Sequence, residues 1–276
     1  MTSPTLRFWG VRGSIPSPGP ATVRYGGHTT CVSVEVPGGP VVVFDAGTGI
    51  RPLGQALRGD GRDVLLFLTH VHWDHVVGYP FFEPLYERGR TIRLFPIGLG
   101  DHPRPLDDLF EPRHFPVAQE RLGSPCGYVT EGADEVLGAY GLSVSALRVA
   151  HPGVTAGYRL EVAGRSVVFV PDNELGADGA TRDAVVAFAS GADVLIHDAQ
   201  YLDDEIDDRQ GWGHSSVGEA CTLGADAGVG ELVLFHHDPD RTDDALDAIG
   251  REAVSWMAAR GPTRVTVARE GEVRRL

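Results

Sequence analysis

Thr69-His70-Val71-His72-Trp73-Asp74-His75 places three imidazoles and one carboxylate within six consecutive positions. This segment directly follows Val64-Leu65-Leu66-Phe67-Leu68, a short aliphatic run that is typical of a buried strand. Nitrogen and oxygen ligands placed just beyond the end of a buried strand can be held rigidly around a metal ion. The pattern therefore favours a metal-binding segment over a polar loop that faces solvent.

The composition describes an ordinary globular chain with an excess of acidic residues. Among 276 residues, 42% are hydrophobic and 22% charged, and the net charge is −14. We expect one domain over residues 1–276, built from two similar halves that meet near residue 140. The negative charge repels polyanions, so no long nucleic acid is expected as a partner. A small anionic substrate remains compatible, because bound cations reverse the local potential of a site.

The cysteines and the apolar segments bear on the cellular compartment. Cys31, Cys126 and Cys221 are odd in number and far apart, and no Cys-x-x-Cys pair is present. A reduced, cytoplasmic setting is the simpler expectation. No stretch approaches the ~18 consecutive apolar residues of a membrane helix, so no membrane association is predicted. A homodimer is left open.

The strand and helix patterns predict the fold class. Strand-like runs such as 32–36 and 41–44 are joined by turns, and helices are interspersed without strict alternation. This succession predicts antiparallel-rich sheets with helices outside. The predicted helices include residues 79–88, residues 215–227 with Ser215 as N-cap, and residues 242–260. Residues 98–140 form either a lid-like insert or surface loops, and the sequence leaves both open.

The opening segment contains only part of a metal centre. His70 and His72 are two residues apart and would project to one side of an extended chain, whereas Asp74 and His75 would point to a second centre. Further polar residues follow later apolar runs in the same way: His151, Asp172 and His236. Together these groups predict a two-metal site with ions ~3.5–4 Å apart.

The ordered set Thr-His-x-His-x-Asp-His, followed by isolated His, Asp and His, resembles the metallo-β-lactamase superfamily. The resemblance extends from Asp45 to His236. It implies an α/β protein, an αββα sandwich of two mixed, antiparallel-rich sheets with outer helices and with the metals at one edge. By the same resemblance, His70, His72 and His151 bind one zinc ion, and Asp74, His75 and His236 bind the other. Asp172 would bridge the two ions, and Asp45 would support the ligands from behind.

Two later motifs resemble those of a particular branch of this superfamily. The segment 195–200, which contains Asp198, is similar to the His-Glu-Ala-Thr segment of the tRNA 3′-processing endonucleases. Gly213-His214-Ser215-Ser216 is similar to their His-Ser-Thr segment. The resemblance implies that His214 is a general acid and Asp198 its partner, although Asp is one methylene shorter than the usual Glu. Asp74 is assigned to the catalytic residues as well as to the ligands.

The N-terminal segment bears on the substrate. Residues 7–14 and 25–31 are similar to bacterial small-molecule phosphodiesterases of the same superfamily, and Arg12 and His28 are the predicted substrate contacts. We therefore predict a phosphodiesterase that cleaves a cyclic nucleotide or cyclic ribose phosphate by attack of metal-bound hydroxide, with two Zn²⁺ ions or with Mn²⁺ instead. The alternatives are a hydrolase of lactones, thioesters or β-lactams and a non-catalytic small-molecule binding protein.

Overall fold

The computed structural model describes residues 3–96, 98–100 and 104–276. Within them the strands are β1 (Thr5–Gly10), β2 (Cys31–Glu35), β3 (Val41–Phe44), β4 (Val64–Phe67), β5 (Ile92–Phe95), β6 (Gly127–Tyr128), β7 (Leu142–Arg148), β8 (Ala156–Val162), β9 (Arg165–Val170), β10 (Val194–Asp198), β11 (Glu231–Phe235), β12 (Arg264–Val267) and β13 (Val273–Arg275). The α-helices are α1 (Ile50–Ala56), α2 (Trp73–Val76), α3 (Ala133–Gly138), α4 (Gly179–Ala189), α5 (Val217–Asp226) and α6 (Asp243–Ala258). Short 3₁₀ turns lie between several of them.

The strands form two mixed sheets. Their orders are β13-β1-β2-β3-β4-β5-β6 and β12-β11-β10-β9-β8-β7. Among the described strand pairs, β13–β1, β1–β2, β2–β3, β7–β8 and β8–β9 are antiparallel, and the other six are parallel. The predicted fold class is confirmed, but the described sheets are not antiparallel-rich, because parallel pairs outnumber antiparallel pairs by six to five. Parallel pairing arises because helices or long loops connect the strands at the centre of each sheet.

Alternating side chains place the two sheets face to face. On β3, Val42 and Phe44 join the core between the sheets, whereas Val41 and Val43 pack outward in a cluster that includes Ile50 of α1. The second sheet shows the same division, and its outer face packs on α4, α5 and α6. Buried side chains on both faces of both sheets therefore produce the four-layer αββα arrangement.

Phe44 lies at the centre of the core between the sheets. Its ring centroid is 5.7 Å from Phe67, 6.0 Å from Tyr158 and 5.3 Å from Phe169. Replacing Phe44 with alanine is expected to lower the free energy of unfolding by ~3–5 kcal/mol, since it leaves a cavity among rigid rings. Guanidinium unfolding would measure the loss. The same truncation at Phe81, which is 53% exposed, should cost less than about 1 kcal/mol; equal losses would contradict this account.

Two predicted helices differ in the structure. Residues 79–88 form two 3₁₀ turns, Tyr79–Phe81 and Glu83–Tyr86, because Pro80 and Pro84 each lack the amide hydrogen that a continuous helix requires. The predicted N-cap of α5 is wrong by one residue. Ser216, not Ser215, accepts the Glu219 amide, and the Glu219 side chain accepts the Ser216 amide in return.

The segment that the sequence left open packs against the first sheet. Leu106, Phe110 and Leu122 are buried in the outer cluster of that sheet, and β6 extends the sheet beyond β5. The described parts of residues 98–140 are therefore tied to the core and do not form a detached lid. No helix in the described ranges has both the length and the apolar character needed to span a bilayer.

Candidate metal centre and acid–base pair

The predicted ligands meet at one edge of the sandwich because the strands that precede them run in the same direction within each sheet. His70 follows β4 in the first sheet, while Asp172 and His236 follow β9 and β11, which both run parallel to β10. His151 follows β7, and two successive antiparallel pairings give β7 the direction of β9. The carboxyl ends of strands within a sheet therefore collect side chains that lie far apart in sequence.

One group of ligands consists of His70, His72 and His151. Their potential ligand atoms lie within 4.8 Å of one another. Nδ1 of His72 lies 3.0 Å from Nε2 of His151, and the His70 ring centroid is 4.5 Å from that of His72. His72 immediately precedes α2 in an extended conformation, which turns its ring toward the same side as His70.

The second group consists of Asp74, His75 and His236. Asp74 and His75 lie on the single-turn helix α2, and their potential ligand atoms and that of His236 are within 4.8 Å of one another. Oδ2 of Asp74 lies 3.2 Å from Nε2 of His75 and 3.1 Å from Nε2 of His236. The short helix thus brings two consecutive residues to His236, and His75 also lies beside His70, with ring centroids 4.1 Å apart.

Asp172 lies between the two groups and directs one oxygen to each. Its Oδ1 is 3.2 Å from Nε2 of His75 and 3.3 Å from Nε2 of His236. Its Oδ2 is 3.7 Å from Nε2 of His70 and also 3.7 Å from Nε2 of His151. This is the arrangement that a carboxylate bridging two ions requires.

A network behind the ligands orients their rings. Asp45 Oδ2 accepts hydrogen bonds from His75 Nδ1 at 2.8 Å and from Thr69 Oγ1 at 2.8 Å. Thr69 Oγ1 in turn accepts from His70 Nδ1 at 3.0 Å. Because Nδ1 of both histidines is occupied, Nε2 is the nitrogen that faces the centre. Asp45 has a φ of 60°, a strained conformation that these hydrogen bonds hold in place.

The buried atoms at this centre fit a pair of cations. Among the described residues, Nε2 of His70, Nε2 of His75 and Oδ1 of Asp172 are buried without a hydrogen-bond partner. Orphaned polar atoms of this kind are costly unless an ion or water satisfies them. Burial disfavours the charged imidazole, yet Asp172, Asp74 and Asp45 raise the pKa of His75 well above its ordinary value. Three carboxylates thus surround His75, and they favour a cation at this position.

His214 and Asp198 form a hydrogen-bonded pair beside the two ligand groups. Nδ1 of His214 donates to Oδ2 of Asp198 at 2.8 Å, so the shorter side chain of aspartate does reach the ring. The potential ligand atoms of His151, Asp172 and His214 lie within 4.8 Å of one another. Burial lowers the pKa of His214, but the attraction of Asp198 outweighs it and raises this pKa to about 9. His214 is thus cationic at neutral pH.

A family model described as the beta-lactamase superfamily domain matches residues 41–237, which include all the ligands described above. The chain belongs to this superfamily. It is a hydrolase of the metallo-β-lactamase fold whose His and Asp clusters suit divalent metals.

Three known proteins are similar to this chain in sequence or in fold. Ribonuclease Z of Halorubrum lacusprofundi is 28% identical over 297 aligned positions, which cover 90% of each chain. The metallo-β-lactamase fold protein YhfI of Bacillus subtilis superimposes with a TM-score of 0.72 at 19% identity, covering 99% of both chains. A diphosphatase of the PhnP family superimposes with a TM-score of 0.68 at 19% identity, covering 99% of this chain and 98% of its own.

The structure corrects the predicted role of Arg12. Arg12 is fully buried, and its guanidinium donates to the carbonyl oxygens of Gly26, Asp238 and Arg241. These bonds tie the loop after β1 to the loop after β11. Because the guanidinium has no exposed surface, Arg12 holds the loops together and does not contact a substrate.

His28 lies elsewhere. It is half-buried in the wall of a cavity to which none of the predicted metal ligands contributes a surface. Its Nδ1 is 3.2 Å from Oγ1 of Thr48. The structure therefore places His28 outside the two ligand groups.

Three contacts of the proposed ligands were not predicted from the sequence. Gln200 Oε1 accepts from Nδ1 of His236 at 2.9 Å, the Gly213 carbonyl accepts from Nδ1 of His151 at 2.8 Å, and the Ser14 amide donates to Oδ2 of Asp74 at 2.8 Å. Gln200 and Gly213 lie within or next to the motifs around Asp198 and His214, so their proximity in sequence was a usable signal. The Ser14 contact arises from tertiary packing of the N-terminal loop.

Replacing Asp45 with asparagine is expected to weaken the binding of a divalent metal ion by about 10–100-fold. Asparagine tolerates the positive φ, but its single oxygen cannot replace both carboxylate oxygens, of which Oδ1 accepts from the Thr69 amide and Oδ2 from His75 Nδ1. Competition with a chromophoric chelator would measure the affinity. Asp60→Asn, in an exposed loop, is the matched control. An unchanged affinity in the Asp45 variant would contradict a supporting role.

Proposed function

We propose that this protein is a dinuclear metal-dependent phosphodiesterase that cleaves a small cyclic phosphodiester, either a cyclic nucleotide or a cyclic ribose phosphate. The observation that carries the proposal is the pair formed by His214 and Asp198, which lies next to both ligand groups. A hydrolase that expels an alkoxide benefits from an acid at that position. A metal centre by itself would fit several other kinds of hydrolysis.

The residues proposed to hold two divalent ions are those of the two groups and the carboxylate between them: His70, His72, His151, Asp74, His75, His236 and Asp172. When bound, two such ions supply Lewis acidity, which lowers the pKa of a water molecule and offsets the charge of the phosphate. Zn²⁺ suits the histidine-rich set, and Mn²⁺ is the alternative. The carboxylate of Asp172 keeps the two groups in register.

His214 performs the proton transfer in this proposal. Nδ1 is held by Asp198, which leaves Nε2 as the nitrogen that can donate a proton to the leaving oxygen. The charge of the imidazolium is stabilised before the reaction by Asp198, whose carboxylate has no exposed surface. Once the proton has left, the neutral ring stays in place through the same hydrogen bond and can accept a proton from water.

The names of similar proteins and the net charge of this chain both support a small phosphodiester as the substrate. The names ribonuclease Z and diphosphatase, given to a relative and to a structural neighbour, point to reactions at phosphorus. The net charge of −14 disfavours a long polyanion and leaves a small anion as the better candidate. We place the reaction in the reducing cytoplasm, where three free and buried cysteines, Cys31, Cys126 and Cys221, are compatible with the redox conditions.

A substrate panel tests the proposal. Protein loaded with Zn²⁺ or Mn²⁺ would be assayed with 2′,3′- and 3′,5′-cyclic nucleotides, cyclic ribose phosphate, a precursor tRNA, a lactone, a thioester and a chromogenic β-lactam. We expect the highest kcat/KM with a cyclic phosphodiester. A higher value with precursor tRNA, or with the lactone, thioester or β-lactam, would overturn the assignment. Binding of these compounds with no turnover would indicate a binding protein.

A further inference from the structure

A cavity of about 600 Å³ lies where the loop after β1 meets the segment that follows α2. Its volume is in the range of small-molecule sites. Its wall includes Pro16, Val23 and His28 of the first segment, Val77 and Phe81 of the second, and Glu270 from the turn between β12 and β13. None of the residues assigned to metal binding or proton transfer lines it.

The cavity is connected to the metal centre by short stretches of chain. The Ser14 amide donates to Oδ2 of Asp74, and Pro16, two residues further on, lines the cavity. Two residues of extended chain span at most ~7 Å. Val77, which also lines the cavity, follows the proposed ligand His75 by two residues. Both of these segments therefore lead from the cavity wall to the metal centre within two residues.

The apolar part of the wall is open to solvent. Val23 is 76% exposed, Phe81 is 53% exposed and Val77 is 38% exposed, although all three are large hydrophobic residues. Single exposed apolar residues are common, but several that face one concave surface indicate a ligand site. The accessible ring of Phe81 offers a surface on which a planar group can stack.

The polar part of the wall offers hydrogen-bond donors. Oγ1 of Thr48 accepts from the Thr29 amide at 2.9 Å and lies 3.2 Å from Nδ1 of His28. Nδ1 of His28 is thus occupied, and Nε2 remains for a ligand. Burial and the nearby Arg51 lower the pKa of His28, so its ring is neutral at pH 7. Arg51 also lines the cavity and supplies charged donors.

We propose that this cavity binds the nucleobase of a nucleotide substrate while the phosphodiester lies at the metal centre. The inference rests on the proposed phosphodiesterase function and selects cyclic nucleotides over base-free cyclic ribose phosphates. Phe81 and the aliphatic wall contact the faces of the base, and His28 and Arg51 donate to the acceptors on its edge. Aromatic and apolar walls with a few donors are the usual complement of a base.

Filling the cavity tests the proposal. A Cβ added at Gly19, which lines the cavity, meets no atom within 4 Å, so Gly19→Phe should fold normally. Gly261→Phe, at an equally open position that does not line the cavity, is the matched control. We expect Gly19→Phe to raise KM for a 2′,3′-cyclic nucleotide by about tenfold with kcat nearly unchanged. Hydrolysis of cyclic ribose phosphate should change by less than about twofold, because it has no base.

A second variant and a binding measurement separate this inference from the proposed function. Phe81→Ala should raise KM for the cyclic nucleotide alone, as Gly19→Phe does. Calorimetry with adenosine requires no turnover; the wild type and Gly261→Phe should bind it, and Gly19→Phe should bind at least tenfold more weakly. If the wild type binds adenosine and Gly19→Phe does not, the cavity is a base-binding site even if the protein cleaves no phosphodiester. No adenosine binding by the wild type, or equal effects on both substrates, would overturn it.

Discussion

His214→Ala is expected to lower kcat for a cyclic phosphodiester by about 10²–10⁴-fold while the metal content stays at the wild-type value. The substitution removes the only acid that the proposed mechanism places at the leaving oxygen. It leaves the side chains of both ligand groups and of Asp172 in position. Steady-state kinetics and elemental analysis of the same sample would measure both quantities. His114→Ala, at an exposed histidine, is the matched control.

The leaving group provides a sharper version of this experiment. A nitrophenolate leaves without protonation, so His214→Ala should reduce hydrolysis of bis(p-nitrophenyl) phosphate by no more than about tenfold. The larger loss should appear only with substrates that release an alkoxide. Equal losses with both leaving groups, or a parallel loss of metal, would show that His214 has a structural or ligand role. Asp198→Asn should follow the His214 variant, since it removes the charge that keeps the imidazole protonated.

Asp172→Asn is expected to leave no more than one tightly bound ion per chain and to lower activity by at least about 10³-fold. The carboxylate directs Oδ1 to His75 and His236 and Oδ2 to His70 and His151. An amide of the same shape has one oxygen and no charge, so it cannot serve both groups. Titration with Zn²⁺, followed by elemental analysis after gel filtration, would give the stoichiometry.

A carboxylate elsewhere in the same sheet provides the control for Asp172. Asp193 accepts a hydrogen bond from the Ser166 amide at the opposite ends of the strands. Asp193→Asn should keep the full metal content and activity. Two tightly bound ions in the Asp172 variant would contradict a bridging role for this residue. If the Asp193 variant also lost both ions, the loss of metal would reflect a general destabilisation of the sheet and not the loss of a bridging ligand.

Much of the fold and most of the candidate ligands could be predicted from the sequence because the relevant signals are local. The run 64–68 ends in His70, and each later ligand similarly follows an apolar run that must form a buried strand. The spacing of His70, His72, Asp74 and His75 also distinguished two groups, which the structure places on either side of Asp172. The carboxyl ends of these strands meet at one edge of the sandwich. A polar residue that directly follows a strand is therefore expected to lie near the other residues in the same position.

Other features depend on packing between segments that are distant along the chain. Arg12 carries the guanidinium typical of a phosphate ligand, yet the tertiary structure buries it among three carbonyl oxygens, one from its own loop and two from the loop after β11. Gln200 became a partner of His236 only because β10 and β11 are adjacent in the second sheet. The cavity next to His28 arises where two loops meet. The sequence by itself determined which side chains could bind metal, because the periodicity of a strand is a local property. The tertiary structure decided which polar groups remain accessible, because burial depends on segments that are distant along the chain.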